Sequence, residues 1–141
     1  MTTESAFLIW LVGALIGSML FFAITVAPTV FRALPADNAG VFLRALFPHY
    51  YLWGLVVALT TAILAFNSNA AVSLVCFLVA LLFVFSRQIL MPLINRERDA
   101  ELQGVPGAAK RFNLLHRWSV LINAAQIVIL FGVAALLILE I

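Results

Sequence analysis

His116, Ser119, Asn123 and Gln126 stand at offsets of 0, 3, 7 and 10 in an apolar stretch near the end of the chain. At about 100° per residue they fall within about 80° of helical arc and form one polar stripe. Lipid cannot satisfy such a stripe. It must turn into a bundle, where it either fixes helix rotation through interhelical hydrogen bonds or lines a ligand site. Arg87 is the one cation inside an otherwise apolar segment, and Pro92 follows five residues later. Pro92 removes the amide that would bond the Gln88 carbonyl, so a kink and a free acceptor are expected beside the guanidinium. Arg87, Gln88, Asn95, His49, Tyr50, Tyr51 and His116 are expected to share one layer near a membrane surface. The expected ligand-binding set is Arg87, Gln88, Asn95, His116, Ser119, Asn123 and Gln126, and it would take a small solute or a metal-containing compound.

Other chemistry has less to stand on. His49 and His116 alone make an incomplete metal shell, although His116, with His49, could supply axial ligands to haem or bind a transition metal. No paired acids lie within an apolar run, so carboxylate-driven proton coupling lacks its usual residues and His116 would be the only in-span proton carrier. There is no phosphate loop, nucleophile elbow or zinc signature, and the reading leans against an enzyme. Cys76, the single cysteine, lies in an apolar run where a buried, inert thiol is expected.

The elements that must position these residues follow from composition. Of 141 residues 65% are hydrophobic and 10% charged, and the mean hydropathy is +1.16. Globular domains carry roughly a quarter charged residues, so this chain needs the bilayer as its solvent, which excludes disorder, a disulfide scaffold and a nucleic-acid partner. Residues 5–31, 45–86 and 118–139 carry no Asp, Glu, Lys or Arg. One helix crosses in about 20 residues, so the middle run must hold two spans, turning at Asn67, Ser68 and Asn69. The expected fold is all-α, an integral membrane four-helix bundle with spans near 7–33, 48–66, 70–102 and 108–139, the last two extending into the cytoplasm. The runs do not alternate as barrel strands would. Glu4 and the lack of Lys or Arg before the first run favour a retained span over a cleaved leader.

All eight Lys and Arg residues fall on one side, from Arg32 and Arg44 in the first loop to Arg96, Arg98, Lys110, Arg111 and Arg117 in the third, with Arg87 leading there. By the positive-inside rule both the N-terminus and the C-terminus are extracytoplasmic, in a bacterial-type inner membrane. The same cations suit anionic lipid headgroups at the cytoplasmic face. Gly13 with Gly17, and Gly54 with Ala58 and Ala62, offer small-residue faces for helix contact, chiefly within one chain, with a homodimer or larger membrane complex as the alternative use. Trp10, Trp53 and Trp118 fall near expected span ends, as interfacial anchors. Val41, Phe42, Leu46 and Phe47 suit a short amphipathic helix on the membrane surface, with Pro48 opening the second span. Gly104, Pro106 and Gly107 reverse the third loop, and Lys110 and Arg111 return beside Glu97, Asp99 and Glu101.

Taken in order, Gly17 to Phe31 with the Val26-Ala27-Pro28 step, Phe47-Pro48 with Tyr50, Tyr51 and Gly54, Arg87 with Pro92, Asn95 and Arg98, and Phe112 with His116, Ser119 and Asn123 resemble the transmembrane protein 205-like family. The resemblance covers nearly the whole chain. It implies a small four-helix membrane protein, of which a eukaryotic member is associated with platinum-drug resistance and export. That family is distantly similar to the copper-resistance D proteins and the haem-linked membrane protoporphyrinogen oxidases, and His116 is the position here that corresponds to their histidines. The leading expectation is therefore a solute-binding or solute-moving membrane protein. A haem-binding membrane oxidoreductase or haem-handling protein, and a non-catalytic structural or assembly partner, are the two alternatives.

Overall fold

The computed structural model describes residues 3–139, and these are helical apart from short turns. Four helices are long and apolar enough to cross a membrane: Thr3–Ala33, Ala36–Leu64, Ala70–Leu102 and Ala108–Leu139, the first to fourth spans. Each span packs on the next and the fourth returns to the first, giving a square up-and-down bundle. The core is a column of side chains that includes Leu8, Val12, Met19, Val72, Cys76 and Leu130.

Proline shapes three of the four helices. Before Pro28 and Pro92 the helix widens into a π turn, at Phe22–Val26 and Ser86–Leu90. A proline ring crowds the carbonyl four residues back and has no N–H to give it. The wide turn relieves that crowding: Ala27 N–H donates to the Phe22 carbonyl, and Met91 N–H to that of Ser86. Pro48 behaves differently. Rather than opening the second span, it lies inside one continuous helix that begins at Ala36, so the expected separate surface helix is joined to the span. The helix survives a substitution that costs ~3 kcal/mol in an isolated helix because both sides of Pro48 are packed. Ala39 and Leu43 bury against Val30, with Phe47 beside them, and Tyr51 joins the main core.

The first and third spans match at a separation of 64 residues. Pro28 and Pro92, Arg32 and Arg96, and the two π turns all coincide at that separation. So do buried pairs, Leu8 with Val72, Val12 with Cys76, Leu15 with Val79, Ile16 with Ala80 and Met19 with Phe83. In the second and fourth spans Arg44 and Arg111, and His49 and His116, lie 67 residues apart, and the second connection, 103–107 against 34–35, is three residues longer. Exchanging first with third and second with fourth preserves every neighbour in the square. The bundle is thus two similar helical hairpins about an axis along its length.

Small residues divide by where they face. Gly54 lies directly under the Phe83 ring, which occupies the space a Cβ would need, and Ala58 and Ala62 are buried on the same face. Gly13 and Gly17, expected at a helix contact, instead face outward, with open space where a Cβ would stand. The first span packs through Leu8, Val12, Leu15, Ile16 and Met19, the opposite face, where larger side chains fill more of the core.

Candidate functional site

The polar side chains at bundle depth are drawn inward by their own unmet hydrogen bonds. Gln126 is almost fully buried and donates through Nε2 to the Val79 carbonyl of the third span at 3.3 Å. Asn123 accepts at Oδ1 from the Tyr50 hydroxyl, 2.6 Å away on the second span, diagonally across the square. Ser119 donates back to the His116 carbonyl at 2.7 Å. The Trp53 indole donates to Ser18 Oγ, and Ser73 to the Ala62 carbonyl, tying the second span to the first and third. Around Tyr50 the rings of Phe22, Phe47, Tyr51 and Phe83 stack or meet edge-on at 4.6–6.5 Å.

Arg87 sits in the third span's π turn and is half-buried. Its Nε donates to the Pro48 carbonyl at 3.3 Å. No carboxylate pairs with it among the described residues. The guanidinium is held by one nitrogen, and its two Nη groups meet no acceptor among the described residues. Its bond is to the second span, one residue before exposed His49, and not to the stripe on the fourth. His116 is exposed, its ring stacked on Phe112 at 6.0 Å. Gln88 is exposed, and Asn95 contributes its carbonyl, which accepts from Arg44 Nη2 at 3.4 Å. The structure joins Asn123 to the second span and Gln126 to the third, and leaves His49, Gln88 and His116 at the surface of the chain. Among the described residues no cluster of three or more His, Cys, Asp or Glu side chains could hold a metal ion.

Beyond Asn95 the third helix carries a charged extension outside the apolar run. Arg44 grips Asp99 with both Nη groups, at 2.7 and 3.4 Å. Arg111 Nε bonds Glu97 at 2.8 Å, and Arg96 adds a second contact at 3.3 Å. The hydrogen bond from Arg111, with both guanidinium charges, holds the Glu97 carboxyl below its ordinary range despite its burial. Arg98 pairs with Glu101 and lies over the Phe112 ring at 5.6 Å. Two apolar grooves open on the surface. One, about 810 Å³, opens between the second and third spans near Asn67, with Leu59, Ile63, Phe66 and Phe77 in its walls. The other, about 320 Å³, lies between the third and fourth spans and is lined by Phe85, Leu90, Leu93, Leu115, Trp118 and Ile122.

Sequence reasoning placed Tyr50 in the polar layer without its role as donor to Asn123, and it missed the π turn before Pro28 and the Ser18–Trp53 bond. A proline inside a 27-residue charge-free run was the available signal for the π turn.

Fold and site together define a helical protein built for a membrane, with Gln126, Asn123, Tyr50, Trp53, Ser18 and Ser73 bonded across helix contacts and one cation held by a carbonyl. A family model described as "Domain of unknown function (DUF4149)" matches residues 10–102, more than half of the chain. The chain belongs to that family. The match takes in Arg87, Gln88 and Asn95, and the stripe from His116 to Gln126 lies beyond it. Neither a curated protein nor a solved structure matches the chain.

Proposed function

We propose that this protein is a non-enzymatic carrier or binding protein of a bacterial-type inner membrane, with both termini extracytoplasmic, and that it holds a small anionic solute at Arg87. The observation that carries the reading is the guanidinium itself: half-buried, at a π turn, with one carbonyl contact and, among the described residues, no acid paired with it. A cation withdrawn from water is costly unless paired, and a planar fork with free donors suits a carboxylate or an oxyanion. π turns recur at functional sites, and interrupted helices at matching positions of two repeats mark the binding region of many carriers. The resemblance to transmembrane protein 205-like proteins points the same way, towards binding or export. Acetate, benzoate and inorganic phosphate, tested separately by thermal unfolding of the detergent-solubilised protein, probe this reading. At a hundredfold excess over Kd a bound anion adds about 2.7 kcal/mol, so at least one should raise Tm in the wild type and not in Arg87→Gln. If none does, the anion-binding reading fails.

A second reading, a structural or assembly partner, is favoured by a different observation. Gln126 and Asn123 both spend hydrogen bonds across helices of the bundle. On that reading Gln126→Leu lowers stability and leaves every anion response unchanged. The haem alternative has no comparable observation behind it, since His49 and His116 are both exposed. An absorbance spectrum with a Soret band in the purified protein would reinstate it.

A further inference from the structure

The two hairpins differ at one seam, and the difference identifies a ligand. In the first hairpin the seam beside the π turn is filled from within. Phe47 stacks on Tyr51 at 5.6 Å and meets Phe22 edge-on at 5.4 Å, while Leu43 and Ala39 bury against Val30. At the matching places in the second hairpin stand Leu114 for Phe47, Trp118 for Tyr51, Ser86 for Phe22 and Lys110 for Leu43. Leu114 and Trp118 are 57% and 54% exposed, whereas Tyr51 is 7% exposed. The Phe47 ring has no aromatic counterpart there, and Trp118, at the place of Tyr51, lines the 320 Å³ groove with wholly apolar walls.

The end of this groove is defined by charge. Leu90 and Leu93 continue along their helix face to Glu97, and Trp118 and Leu115 continue along theirs to Arg111. The Arg111–Glu97 bond therefore bridges the groove's two walls where the apolar run stops, and Arg96 leaves that cluster with a net positive charge. Lys110 and Arg117 lie on the adjoining face, exposed, and neither forms an ion pair among the described residues. An apolar slot ending in excess cations is complementary to a molecule with an apolar tail and an anionic head.

We infer that the seam between the third and fourth spans is a binding site for one anionic phospholipid, with an acyl chain in the groove and its phosphate at Arg111, Lys110 and Arg117. The site is separate from Arg87, which lies in the same π turn but reaches the second span. It adjoins the place where, in the first hairpin, Phe47 and Tyr51 stack on each other.

The test uses Trp118 as the reporter, in the full chain carrying Trp10→Phe and Trp53→Phe. The protein is reconstituted in phosphatidylcholine vesicles containing a tenth of either brominated phosphatidylglycerol or brominated phosphatidylcholine. The inference expects Trp118 quenching by the phosphatidylglycerol to exceed that by the phosphatidylcholine at least threefold. Lys110→Gln with Arg117→Gln should abolish the excess, and so should Leu115→Phe, which fills the groove from one of its own walls. Equal quenching by the two lipids would mean ordinary boundary lipid and overturn the inference. An excess that survives Leu115→Phe would mean a headgroup patch without a chain site and overturn it too. Weak quenching by both would mean that another polypeptide, such as a second copy, covers the groove, which also overturns it. None of these outcomes bears on the Arg87 reading, whose probes are water-soluble anions.

Discussion

Gly54 has no room for a side chain, because the Phe83 ring already occupies the space above its Cα. Gly54→Leu should therefore cost about 1–3 kcal/mol by overpacking, read as a lower Tm in detergent. Gly17→Leu should leave Tm unchanged, since that position faces away from every neighbour. Both are glycines in apolar helices, and their sequence contexts look alike. The difference was illegible because lipid and a neighbouring helix are equally apolar, so a small-residue spacing does not say which of them it meets. Polar residues were more legible: a buried amide must find a partner, so Gln126 and Asn123 could be assigned to the bundle interior. Tyr50→Phe should cost about 0.6–2 kcal/mol, the range for interhelical hydrogen bonds in membranes, by leaving Asn123 Oδ1 without its donor. Thermal unfolding of Tyr50→Phe beside Asn123→Ala and the double variant would measure the coupling.

At the scale of elements, the number of spans could be read from the charge-free runs, because a bilayer sets a minimum apolar length. The helix breaks could not be read as well, since a proline can open a helix, kink it or widen it into a π turn. Which of these happens depends on what packs around it. Pro48 continues its helix against Val30 and the aromatic cluster, whereas Pro28 and Pro92 each follow a π turn. The charged extension of the third span makes a separate prediction. Glu97 titrates below its ordinary value when folded, so its bond to Arg111 is fully present above the unfolded carboxyl value near 4.5 and is lost as pH falls through the lowered folded value. Tm should fall on acidification below that point, and Glu97→Gln should remove part of the fall. A Tm profile in the variant that matches the wild type would show that the Glu97 pair does not couple to folding.

For the whole molecule, the two-hairpin repeat was hidden because few residue types recur, chiefly Pro28 and Pro92, Arg32 and Arg96, Arg44 and Arg111, and His49 and His116. It emerges in the positions that are buried, which many apolar residues can fill. An even number of spans puts both termini on one side, and on the proposed orientation, which rests on the eight-to-none division of Lys and Arg, that side is the exterior. Reporter fusions at Ile141 should therefore be active only with an exterior-dependent reporter. A cytoplasm-dependent signal there would invert the topology and move the charged extension to the outside.

The central claim is that the half-buried Arg87 holds an anion through the geometry of its fork, and titration calorimetry tests it most directly. The anion giving the largest Tm rise would be titrated into wild type, Arg87→Lys and, as a charge control, Arg117→Gln. The account predicts that Arg117→Gln binds as wild type does and that Arg87→Lys binds at least tenfold more weakly, about 1.4 kcal/mol. Equal affinity in wild type and Arg87→Lys would contradict it, because a charge that any cation can supply needs no fork.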